Sequence, residues 1–231
     1  MGGSRAVGLA GIGFVVLTVG RFVQLATTER PDLAGPLEPV GRYLDAHGTG
    51  VAVGTWAGLV AFGLLLVFVV GLARQAQPAG GLASSLVLAG GILVLATLTV
   101  NSVMLISGIN IGRDGDVAEA VRLLRLAPHI DHFMHLPNAL WQAALAVLLL
   151  RTRVLARPFG ATLALLAAAE FVVSAIGLAT SEFTGPERLP FLGLLLWVLA
   201  AGVALLARPG SRHQPPGLRP DSREIPESVS G

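Results

Sequence analysis

The sequence predicts an all-α membrane protein, a bundle of six transmembrane helices, and three observations carry that expectation. Of 231 residues, 53% are hydrophobic and only 13% are charged, where a soluble domain has about a quarter charged residues. Mean hydropathy is +0.73. The apolar residues also gather into runs of about 18 or more, the length at which a helix rising about 1.5 Å per residue crosses a hydrocarbon core of about 30 Å. Finally, most of the arginines, prolines and acids fall between the runs.

The first run is Ala6 to Ala26, with one interior charge at Arg21. It is too long for the apolar core of a signal peptide and lacks a small-x-small cleavage site, so it reads as a retained span. The second, Gly50 to Ala73, opens on Gly50, Gly54 and Gly58, a small-residue ridge of the kind that lets helices approach closely in lipid. The third is Leu82 to Gly108 and the fourth Ile130 to Leu150, followed by Phe159 to Thr180 and Pro190 to Ala207. Residues 1–207 then form a single transmembrane domain. The tail 208–231, rich in proline, serine and charge, is too poor in apolar residues to offset the entropy of ordering it, and is expected to be a disordered cytoplasmic tail.

Two connecting segments have structure of their own. Asp116 and Glu119 fit an N-cap with a reciprocating acid, and VRLLRL after them is amphipathic until Pro128 interrupts it. A short interfacial helix is expected there. Thr27 to Thr49 contains Pro31, Pro36 and Pro39 and reads as a loop with a helical turn near Tyr43, placed to cap the bundle. Arg5, Arg74, Arg151, Arg153 and Arg157 favour cytoplasmic N and C termini in a cell membrane.

Composition closes several functional classes. There is no cysteine, so disulfides, thiolate catalysis, and thiolate-held zinc or iron-sulfur clusters are out. All 16 basic residues are arginine, scattered among loops, with a net charge of +2 and no clustered face for nucleic acid. No phosphate-binding glycine loop or GxSxG elbow is present.

The polar residues inside the runs carry the functional reading. PHIDHFMHLPNALW, from Pro128 to Trp141, places three of the five histidines and an aspartate at the mouth of the fourth run. On one helix, Asp131, His135, Asn138 and Gln142 share a face, with His132 on its flank, His129 further round and a kink expected at Pro137. Glu170, Ser174, Gly177 and Ser181 repeat the spacing in the fifth run. Thr97 and Asn101 are four apart in the third run, and Thr18, Arg21 and Gln24 three apart in the first. Because chain direction alternates from run to run, all these stripes fall in one half of the membrane, the outer half under the arginine rule.

A lone charge at the bilayer centre costs about 2.5 to 3.5 kcal/mol on insertion scales, so Glu170 is expected to be paired or protonated, with Arg21 as first partner and His135 as second. The expected site is a polar pocket lined by Arg21, Asn101, Asp131, His132, His135, Asn138 and Glu170. It would hold a small polar ligand or a proton, chiefly through Arg21, Asn101, Asn138 and Glu170. In the alternative reading a divalent metal such as zinc sits on His132, His135 and Asp131, with Glu170 as base or further ligand in a hydrolase-like membrane enzyme. A third reading is a scaffold subunit, docking a membrane partner or a second copy of itself through the apolar sixth run. Against each stands a plainer role: interfacial histidines bonding headgroups and water, an ion pair holding two helices, an arginine reaching the interface.

As a whole the chain resembles the six-span membrane proteins of high-GC bacteria that are grouped as domains of unknown function. The resemblance rests on span number, on RTRVLARPFGATLAL at the entry to the fifth run and on LLLWVLAAGVALLARPG at the end of the sixth. It implies a helical membrane bundle and transfers no site residue.

Overall fold

The computed structural model describes residues 3–76, 81–180 and 188–208, and within them every side chain except those at 128, 131, 132, 177–180 and 188. The expected tail from 209 onward and Ser181 lie outside the described residues. Seven helices follow one another, α1 (Gly3–Ala26), α2 (Leu37–Gln75), α3 (Gly81–Arg113), α4 (Val117–His132), α5 (His135–Thr152), α6 (Arg157–Thr180) and α7 (Arg188–Leu206). No strand occurs among the described residues. Five of the helices, all but α4 and α5, contain a stretch long and apolar enough to cross a membrane. The 18 residues of α5 include His135, Asn138 and Gln142, and these polar groups keep it out of that set.

Two boundaries differ from expectation. Helix α2 begins at Leu37, not Gly50. Pro36 is its N-cap residue and Pro39 occupies the first turn, where a missing N–H costs no intrahelical bond. Buried Val40, Leu44 and Gly48 then give 37–49 an inward face that its polar composition hides. The expected fourth span is likewise broken. Helix α4 runs through Pro128 to His132, Phe133 and Met134 form a turn, and α5 starts at His135. Pro137, unable to donate to the Phe133 carbonyl, takes a first-turn position in a new helix instead of kinking an old one. The first bond of α5 runs from the Asn138 amide to the Met134 carbonyl, at 2.9 Å.

At 1.5 Å per residue the 39 residues of α2 and 33 of α3 reach about 58 and 50 Å, well beyond a core of about 30 Å. Their surplus lies at one end. There, α4 folds back on the end of α3, and Val40, Leu44, Ile109, Ala120 and Val121 form a small core separate from the main one. The start of α4 is capped by Asp116, whose carboxylate accepts from the Glu119 amide at 3.0 Å. Glu119 does not reciprocate; its carboxylate takes Arg122 at 3.0 Å. The Arg125 guanidinium donates to the Leu33 carbonyl and ties the 27–36 segment onto α4.

The helices pack in the order α6, α5, α3, α2, α1, α7, with α7 returning to α6 along a lighter contact. Helices α1 and α7 meet backbone to backbone: a Cβ on Gly8 would lie 2.8 Å from the Gly202 carbonyl oxygen, and one on Gly202 3.0 Å from that of Gly8. Between α1, α2 and α7 runs a file of rings, Phe22–Phe191, Phe62–Phe191, Phe14–Phe62 and Phe68–Trp197, at centroid separations of 5.4 to 6.3 Å.

Candidate functional site: a buried histidine–glutamate pair

The antiparallel hairpin of α5 and α6 sets two titratable side chains against each other. His135 is the first residue of α5, and Glu170 lies near the middle of α6 after the small residues Ala167, Ala168 and Ala169. Across the hairpin the imidazole Nδ1 meets the carboxylate Oε2 at 2.5 Å. Glu170 is 1% exposed and the His135 side chain 16%. One proton between the two atoms serves both neutral imidazole with carboxylic acid and imidazolium with carboxylate, and the pair carries no net charge in either form. That neutrality is what a low-dielectric environment tolerates.

The rest of the α5 face is polar and buried. Asn138 is 3% exposed, and its side-chain oxygen accepts from the Trp141 indole at 2.9 Å. Gln142 follows seven residues after His135, about 10 Å further along the axis and within about 20° of the same direction. It is fully buried at 0% exposure, and among the described residues neither its amide nitrogen nor its oxygen has a hydrogen-bond partner. An unpaired buried amide costs about 1 to 3 kcal/mol on protein mutational scales, so Gln142 is a liability the fold retains. On α6, Ser174 is buried one turn from Glu170 on the side away from the hairpin turn; on α3, Asn101 and Ser102 are buried.

Other expected site residues lie elsewhere. Arg21 is on α1 and its guanidinium covers Gly58 of α2, while the Gln24 amide covers Gly54 and donates to the Gly50 carbonyl at 2.7 Å. The glycine ridge therefore seats two polar side chains of α1. Glu170 takes the second of its two expected partners, because α1 adjoins α2 and α7 whereas α6 adjoins α5. His129 is exposed on α4, its Nδ1 3.1 Å from the Arg125 carbonyl oxygen. Asp131 and His132 fall in the last turn of α4, across the break from His135, so the expected stripe of four is shared by two helices. Their side chains lie outside those described. Among the described residues no three His, Asp or Glu side chains gather closely enough to hold a metal ion.

Two contacts went unread in the sequence. The Trp197 indole donates to the Phe159 carbonyl at 2.8 Å and closes α7 onto α6. A pocket of about 140 Å³ opens between the end of α1 and α2, lined by Gln24, Leu25, Thr28, Ala46, His47, Gly50 and Val51. A lone tryptophan in an apolar run and the weakly polar pair Gln24 and His47 were the available signals, and neither has a spacing that points to its partner. Comparison with protein-family models, with curated proteins and with solved structures finds no match to this chain.

Proposed function

We propose that the chain is a six-span membrane protein whose His135–Glu170 pair takes up and releases a proton, alone or with a small polar ligand, from the half of the membrane nearest α4. The observation that carries this reading is a titratable carboxylate, 1% exposed, joined to an imidazole at 2.5 Å across two helices. The unpaired Gln142 amide on the same face supports it, since polarity along the α5–α6 seam exceeds what holding two helices needs. Six crossings are favoured by the course of α5, which lies antiparallel between α3 and α6. A Cβ on Gly90 of α3 would touch Trp141, and one on Gly160 of α6 would touch Leu150.

Infrared difference spectra of the purified chain in lipid nanodiscs, recorded across a pH titration, test the reading. One buried carboxylic-acid band should appear and vanish with pH, and Glu170→Gln should abolish it. A titration unchanged by Glu170→Gln overturns the proposal. Stoichiometric zinc retained by the wild type and lost in His135→Ala would replace it with the metal-site reading.

A further inference from the structure

We infer that the pocket between the end of α1 and the N-terminal part of α2 holds the glycerol-phosphate region of a phospholipid from the leaflet on that side. The inference rests on the chain spanning the membrane and is independent of the His135–Glu170 pair. Depth is the first argument. The apolar run of α1 ends at Ala26, with Thr27, Thr28, Glu29 and Arg30 beyond it, and that of α2 begins at Val51, with Arg42, Asp45 and His47 before it. Both transitions fall at the pocket, so its mouth lies where headgroups meet hydrocarbon. The exposed indole of Trp56, under two turns further along α2, has the position of an interfacial aromatic anchor.

Chemistry is the second argument. One part of the lining is apolar, Leu25, Ala46 and Val51, and the other offers Gln24, Thr28 and His47 without any carboxylate or guanidinium. Such a two-sided lining suits a group that is itself part ester and part hydrocarbon. The donors suit an acceptor. The Thr28 hydroxyl reaches the Gln24 and Leu25 carbonyls only at 3.4 Å each, long enough to turn towards a better acceptor. His47 is held by the Tyr43 ring at a centroid separation of 5.2 Å, and its imidazole can donate to a phosphate or ester oxygen. Gln24 is already fixed by its bond to the Gly50 carbonyl. Size is the third: about 140 Å³ is room for about four water molecules, enough for one phosphate or glyceryl ester and too small for a drug-sized ligand, which needs about 300 Å³ or more.

Native mass spectrometry of the full chain, delipidated and supplied with phosphatidylglycerol in detergent micelles, tests the inference. The wild type should retain one lipid that survives activation. Ala46→Phe, which fills the pocket and leaves its polar groups in place, should lower that occupancy at least about tenfold, and His47→Ala should lower it less, with both variants melting as the wild type does. If Ala46→Phe does not fold, Val51→Phe from the same lining takes its place. Equal lipid retention by wild type and filled variant overturns the inference. So does a wild type that ignores the lipid and is stabilised by glycerol 3-phosphate alone, which would make the occupant a free solute. Release of the chain from membranes by alkaline carbonate would instead overturn the spanning reading, and is scored separately.

Discussion

The two seams of the bundle are built on opposite terms. Between α1, α2 and α7 the packing is aromatic and glycine-mediated, with rings in file and the Gly8 and Gly202 backbones in contact. Between α5 and α6 the main contact is an imidazole on a carboxylate, followed two turns on by an amide with no partner among the described residues. Lipid tails are as apolar as leucine, so in a membrane close packing and polar contacts, not expulsion from water, hold helices together. The aromatic seam uses the first means. The polar seam uses the second. The difference separates a seam held by close packing from one held by a polar contact.

That division can be broken most sharply at Trp197. It is 4% exposed, packs on Phe68 and Phe159 and donates to the Phe159 carbonyl. Trp197→Ala should cost about 3 to 5 kcal/mol in unfolding from bicelles while leaving the carboxylic-acid band of Glu170 in place. A loss under 1 kcal/mol would mean the aromatic seam is not the stabilising one. Next in size is the pair itself. A double-mutant cycle of His135→Ala and Glu170→Ala should give a coupling of about 1 to 3 kcal/mol, and a coupling near zero would reduce the 2.5 Å contact to mere proximity. The smallest effect, and the one of opposite sign, belongs to Gln142→Leu. Replacing an unpartnered buried amide with an apolar group of similar size should stabilise the protein by about 1 kcal/mol, read as a raised melting temperature. Destabilisation would show that Gln142 has a partner in the membrane-embedded protein.

The five long apolar helices were legible because apolar runs of span length need no tertiary information to recognise. Much of the polar seam was legible too, since the four-three spacings that join His135 to Gln142 and Glu170 to Ser174 depend only on helix geometry. What could not be read was which helices adjoin. Arg21 and Glu170 fall at a common depth in the sequence, yet α1 faces α2 across the glycine ridge, and depth alone cannot say so. The extension of α2 was hidden because Val40 and Leu44 find their apolar partners on α3 and α4, far away in sequence. The break at Phe133 and Met134 was hidden because Pro137 is compatible with either a kinked interior or a first turn.

That break has a mechanical consequence. Of the three helices that build the small separate core, α2 and α3 continue unbroken into the main bundle. Helix α4 alone stops short, with two residues between its end and His135. Among these three helices only α4 is interrupted on its way into the bundle, and the first residue past the break is His135, whose imidazole meets the Glu170 carboxylate. A displacement of α4 along its axis would reach the His135–Glu170 contact through a turn of two residues.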